Sequence, residues 1–168
     1  MPFNKEHKYR LVRYVTFLEK EIEDYRLFAE MTHEDYIQNR SKRRDVERWI
    51  ENQINATVDI AKVILNAEDL PVPDTYREIV ANLAILPAFK KETIDALSHW
   101  IRLRNIISHE YLDVKWDSIK KFILGGHVLY NDFLYAIKSY LIGKEKEMTP
   151  NSPPNSLIRA ATDYYDFY

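Results

Sequence analysis

The chain contains no cysteine, which excludes disulfides, zinc–thiolate sites and thiol nucleophiles together. It has three glycines in 168 residues, too few for a glycine-rich phosphate loop. No apolar run approaches the roughly 20 residues of a membrane span. The N-terminal MPFNKEHKYR has no signal-like hydrophobic segment, so a cytoplasmic protein without membrane association is expected. A formal net charge of −2 does not advertise a nucleic-acid binder, and any basic site must be local. Alternating strand patterns and internal repeats are also missing.

What is present is helical periodicity, punctuated by seven prolines. Leu11, Val15, Leu18, Ile22, Tyr25 and Phe28 recur at three- and four-residue spacing and predict a helix from about Lys5 to Ala29. Thr32 with Asp35 has the form of a capping box that opens a short turn or helix. Val46, Ile50, Ile54, Val58, Ala61 and Leu65 predict a second long helix from about Ser41 to Ala67, ended by Pro71 and Pro73. A shorter helix is expected from Asp74 or Thr75, where Thr75 and Glu78 again fit a capping box, with Pro87 at its far end. A fourth helix should start near Lys90, and a fifth should run from about Asp117 to Leu141, loosened at Gly125-Gly126. The expected fold is an all-α, up-and-down bundle of four main helices plus a short one.

At this length a single domain is simplest, here spanning residues 1–143. After Gly143 the stretch KEKEMTPNSPPNS reads as a flexible, proline-rich linker and ends in LIRAATDYYDFY. Residues 144–168 are therefore expected to form a tail whose aromatic tip (Tyr164, Tyr165, Phe167, Tyr168) either docks onto a neighbour or frays.

The fourth helix carries the one break in the pattern. Ile94, Leu97 and Ile101 occupy its core-facing seam, and the same spacing continues through Arg104, Ser108 and Tyr111. An arginine on a seam is costly unless its guanidinium meets an anion or a cleft. It can pair with Glu110 or Asp113, snorkel out at the bundle end, or serve a ligand. His109 stands five residues on, which on an ideal helix separates it from Arg104 by roughly 140°. The two share a site only if the helix bends or ends near Ser108, or if a second chain completes the site. Ile106, Ile107 and Ser108 are mediocre helix formers, so an end there is plausible.

Arginine and histidine together suit RNA cleavage without a metal. The 2′-hydroxyl attacks the adjacent phosphate, a histidine moves protons near neutral pH, and an arginine meets the charge developing on the phosphoryl oxygens. DNA lacks that nucleophile.

RNIISHEY, residues 104–111, resembles the R-x4-H-x-Y motif of HepT toxins, the HEPN-domain ribonucleases paired with MNT (minimal nucleotidyltransferase) antitoxins. SKRRDVERWIENQINATVDIAKVIL resembles that family's second long helix, DTYREIVANLAIL its middle segment, and YLDVKWDSI the start of its last helix. The resemblance covers about residues 5–143. It implies a HEPN-like bundle and a metal-independent endoribonuclease toxin of a type VII-like toxin–antitoxin pair, with no cofactor. Arg104 and His109 would be the catalytic pair, Asn105 would help hold the phosphate, and Tyr111 would be the tyrosine that the antitoxin modifies with AMP. The implied partners are RNA, the MNT nucleotidyltransferase and a second copy of the chain, in a homodimer or higher even oligomer whose motifs face each other across a cleft.

Arg40, Lys42, Arg43 and Arg44 crowd the start of the second long helix, where the helix dipole disfavours positive charge. They are either a phosphate-binding patch for RNA or a solvated basic patch balanced by Asp45 and Glu47. Tyr130 and Tyr135 are core residues at helical spacing or, less commonly, stacking platforms for bases. His33, Glu34 and Asp35 are adjacent and point apart, so no metal site is expected. The rival to the ribonuclease reading is a non-catalytic helical module that binds a partner or a nucleotide, with Arg104 and His109 structural.

Overall fold

The computed structural model describes residues 3–148, all of them helix or connecting loop. Helix α1 (Lys5–Glu23) is capped by Asn4, whose Oδ1 accepts the Glu6 and His7 backbone N–H groups at 3.0 Å each. It buries Leu11, Val15 and Leu18. The long first helix expected to Ala29 is divided here. Asp24 interrupts it, and its N–H turns to the carbonyls of Lys20 and Ile22 before a single further turn, α2 (Tyr25–Phe28). That break swings Phe28 onto Trp49, with ring centroids 4.9 Å apart. Thr32 and Asp35 form a complete capping box at the head of α3 (His33–Gln38).

Helix α4 (Arg40–Ala67) is the axis of the bundle and buries Ile50, Ile54, Ile60 and Ile64 almost completely. It ends where Asp69 adopts a left-handed φ of 52°, and the Leu70 N–H reaches back to the Leu65 carbonyl at 2.9 Å. Thr75 caps α5 (Tyr76–Ala81), its hydroxyl accepting the Glu78 N–H, and a 3-10 turn over Asn82–Ile85 follows. Helix α6 (Lys91–His109) and helix α7 (Trp116–Met148) complete the fold.

Side-chain pairings fix the directions. Ion pairs Lys8–Glu145 and Lys138–Glu19 set α1 antiparallel to α7. Trp49 against Phe122, Thr57 against Tyr130 and Glu68 against Tyr140 set α4 parallel to α7. Asn55 to Arg104 and Glu51 to Ser108 set α6 antiparallel to α4. The four long helices therefore run up, down, up and down, as the periodicity predicts.

Helix α7 departs from expectation twice. It passes through Gly125-Gly126 without interruption. A Cβ on Gly126 would sit 3.2 Å from Cε1 of Phe122, one turn earlier, so this glycine makes room for a core ring rather than a kink. The helix also continues past Leu141 and Gly143 to Met148, so the boundary expected at residue 143 falls inside it. Glu68 explains the extension by accepting from the Tyr140 hydroxyl at 2.6 Å and pairing with Lys144 at 2.9 Å. Burial alone would raise the Glu68 pKa, but those two donors outweigh it and hold the carboxyl below its ordinary value. The aromatic tail, Tyr164 to Tyr168, lies outside the described residues.

Candidate active site

One face of α4 carries polar residues at four-residue steps: Arg43, Glu47, Glu51 and Asn55. Such a row forms a ridge inclined to the helix axis, and the R-x4-H-x-Y segment lies against it. Asn55 Oδ1 accepts from Arg104 Nε at 2.9 Å. One turn back along α4 and one turn on along α6, Glu51 accepts from the Ser108 hydroxyl at 2.5 Å. Beyond the end of α6, Arg43 Nη2 reaches the backbone carbonyl of Tyr111 at 3.5 Å.

Arg104 follows Ile94, Leu97 and Ile101 out of the core and is half-buried. Neither of the carboxylates considered for it, Glu110 or Asp113, takes it. Its acceptors are neutral: Asn55 at Nε, and the Asn105 side-chain oxygen at Nη1, 3.3 Å away. The Tyr76 ring lies 5.4 Å from Cζ, and Lys62 Nζ lies 4.7 Å from the same ring centroid. A guanidinium has five N–H donors, and the two bonds to Asn55 and Asn105 leave the others open.

His109 is the last residue of α6. Because the helix is regular through it, Arg104 and His109 leave the axis on different sides, and no bend brings them together within one chain. The His109 side chain is exposed and makes no hydrogen bond or ion pair among the described residues. Glu110, with φ −119° and ψ 41°, turns the chain away, and the Asp113 N–H closes that turn on the Glu110 carbonyl at 2.7 Å. Tyr111 and Leu112 stand out from this loop, 64% and 85% exposed. Asn105 is also exposed, one residue from Arg104.

The basic cluster divides. Lys42 pairs with Asp35 at 2.7 Å. Arg43 pairs with Glu47 at 3.1 Å and lies over the Tyr36 ring at 5.2 Å. Glu47 in turn accepts the buried Tyr36 hydroxyl at 2.6 Å; burial first, then this carboxylate, pushes the Tyr36 pKa up. Lys42 and Arg43 thus tie α3 and the motif loop to α4, while Arg40 and Arg44 remain exposed without a side-chain partner among the described residues. Tyr130 is core, its hydroxyl 3.4 Å from that of Thr57. Tyr135 is 76% exposed and not a core residue. Among the described residues no three His, Asp or Glu side chains converge to hold a metal, and no helix is long and apolar enough to cross a membrane.

Asn55, Glu51 and Tyr76 are the site neighbours that sequence reading misses. Only the four-residue step on α4 marks the first two, and nothing local marks Tyr76.

Solved structures share this fold. The tri-AMPylated HEPN toxin of Shewanella oneidensis in complex with MNT antitoxin superposes with a TM-score of 0.70 at 19% identity, over 82% of this chain and 99% of that one. A toxin–antitoxin pair with AMP-PNP gives 0.69 at 18% identity, over 80% and 99%. YutE of Bacillus subtilis, a cytosolic protein of unknown function, gives 0.71 at 19% identity, over 92% and 99%. No curated protein matches the chain. Residues 18–125, which include Asn55, Arg104, His109 and Tyr111, match the family described as "Ribonuclease HepT-like". The chain belongs to the HepT-like ribonuclease family.

Proposed function

We propose that this protein is an endoribonuclease toxin that cleaves RNA without a metal ion, with Arg104 and His109 as its catalytic pair. The observation that carries the reading is the state of Arg104. A half-buried guanidinium is held by neutral oxygens of Asn55 and Asn105 rather than by a carboxylate, so its charge is unspent and its outer N–H groups can take an anion. In the reaction the 2′-oxygen bonds to phosphorus as its proton passes to histidine. The bond from phosphorus to the 5′-oxygen breaks, and that oxygen takes a proton from an imidazolium. One fragment ends in a 2′,3′-cyclic phosphate and the other in a 5′-hydroxyl. Arg104 meets the charge that grows on the non-bridging oxygens, and Asn105 assists in holding the phosphate.

The divergence of Arg104 and His109 on a regular helix supports a composite cleft in a two-fold homodimer, where one protomer's histidine serves with its partner's arginine. Arg40 and Arg44 are the cations of the α4 start that remain available to the RNA backbone; Lys42 and Arg43 contribute through the positioning bonds already described. Tyr111, exposed on the loop, is the residue that an MNT nucleotidyltransferase antitoxin modifies with AMP. The Shewanella relative is itself described as tri-AMPylated and bound to MNT antitoxin.

The test is cleavage of a defined RNA in EDTA by the native chain, Arg104→Ala and His109→Ala, with folding checked by circular dichroism. Each variant should lose at least about a hundredfold in rate, the scale of one removed acid–base or charge-stabilising group. Native-level cleavage by either folded variant refutes the assignment. No cleavage by the native chain favours the rival, a non-catalytic interaction module.

A further inference from the structure

We infer that Asn55 is a positioning residue for Arg104: its side-chain oxygen holds the guanidinium by Nε and leaves the outer N–H groups not taken by Asn105 to the substrate phosphate. The inference rests on the reading of Arg104 as the phosphate-binding cation, and goes beyond it in assigning the part of the site that aims that cation.

Arginine is a long side chain, and without a fixed Nε its fork sweeps a wide arc. The 2.9 Å bond from Nε to Asn55 Oδ1 pins the edge of the guanidinium nearest the stem. Tyr76 lies against the same group, 5.4 Å from Cζ. Held at Nε by Asn55, at Nη1 by Asn105 and flanked by a ring, the fork keeps its remaining N–H groups without a protein acceptor among the described residues. The contact also fixes the amide's own orientation. Turned over, Asn55 would set an NH2 group against an N–H, two donors with nothing between them.

The anchor is rigid because its backbone is. Ile54 and Ala56, on either side of Asn55, are 1% and 4% exposed in the core. The register is locked one turn away by the 2.5 Å bond from Ser108 to Glu51. Glu51 and Asn55 are four apart on α4, Arg104 and Ser108 are four apart on α6, and the helices are antiparallel, so two matched rungs join them. A slip of one helix past the other breaks both.

The residue type matters as much as its place. An aspartate here would bind the guanidinium as an ion pair and compete with phosphate for its charge. An asparagine orients the cation and leaves it a cation. The two substitutions therefore part in opposite directions. Asn55→Leu, close in size but without an acceptor, should lower kcat for RNA cleavage at least tenfold and change KM by less than about threefold, because a misaimed arginine fails chiefly in the transition state. Asn55→Asp keeps the aim and weakens the charge, so it should raise KM by tenfold or more with the smaller change in kcat.

A second measurement does not depend on turnover. In 15N-labelled protein the Arg104 Nε–H should exchange slowly with solvent in the native chain and in Asn55→Asp, and rapidly in Asn55→Leu. Should Asn55→Leu fail to fold, Asn55→Asp carries both readouts. Full native kcat in folded Asn55→Leu, an unchanged Nε–H exchange rate in that variant, or an unchanged KM in Asn55→Asp overturns the positioning role. If Arg104→Ala is inactive while Asn55→Leu is fully active, only the role of Asn55 falls. If Arg104→Ala retains native activity, the catalytic reading falls with it.

Discussion

Ser108 and Glu51 meet across the α4–α6 interface at 2.5 Å, one helical turn from the contact between Arg104 and Asn55. Ser108 is a poor helix former, and it lies on the seam beside Arg104. Its hydroxyl holds the last turn of α6 to α4 immediately before the chain delivers His109 and turns to Tyr111. The motif is thus secured at its arginine, in its middle and, through Arg43 on the Tyr111 carbonyl, just past its histidine.

The exposure of Tyr111 leads to a first prediction. Under the proposed function its hydroxyl serves only as the acceptor of AMP, so Tyr111→Phe should keep cleavage within about threefold of native, since no transition-state interaction is removed. The variant should escape silencing by an MNT partner and ATP. Intact-mass spectrometry should show AMP added to the native chain and none to Tyr111→Phe. A modified and silenced variant would move the controlling residue elsewhere, with Tyr164, Tyr165 and Tyr168 next to be tried.

Adjacent glycines in α7 should respond differently to alanine. Around Gly125 nothing lies within 4 Å of an added Cβ, so Gly125→Ala should stabilise by up to about 1 kcal/mol through helix propensity alone. Gly126→Ala places its methyl 3.2 Å from Cε1 of Phe122. That ring is enclosed edge-on by Trp49 and Trp100, at 5.5 and 5.1 Å, and cannot yield cheaply. Any propensity gain should be cancelled or reversed by overpacking of about 1 kcal/mol or more. Urea unfolding of the two variants should therefore give midpoints on opposite sides, or at least clearly apart.

Acid should weaken the α3 corner through Asp35. The Lys42 ammonium, followed by the Thr32 backbone N–H and hydroxyl, lowers its pKa from 3.8 to about 2. A folded-state pKa below the unfolded one means stability that is complete above 3.8 and lost as the pH falls through about 2. Asp35→Asn should be less stable than native at neutral pH by a constant margin. That margin should shrink between about pH 4 and pH 2 and then vanish. A margin that stays constant down to pH 2 would remove Asp35 as its source.

Much of this molecule was legible in its sequence, and the exceptions share a cause. Four long helices, the Thr32 and Thr75 caps and the end of α6 near Ser108 follow from local spacing and propensity. The interruption at Asp24, the unbroken run through Gly126 and the continuation past Gly143 depend on distant partners. Phe28 needs Trp49, Phe122 needs a space, and Lys144 needs Glu68. The candidate site divides in the same way. Arg104, His109 and Tyr111 announce themselves by breaking an apolar pattern and matching a motif. Asn55 breaks no pattern, and its relation to Arg104 spans 49 positions of chain.

The neutral company of Arg104 also bears on how the protein should respond to RNA under the proposed function. A partly desolvated cation without a counter-ion is a cost to the folded state, and a bound phosphodiester removes that cost. An unreactive RNA with 2′-deoxy or 2′-methoxy groups should therefore raise the unfolding temperature of the native chain. Arg104→Met should show the reverse balance: a more heat-resistant protein, raised less by RNA than the native chain, in which durability has been gained by giving up the waiting charge.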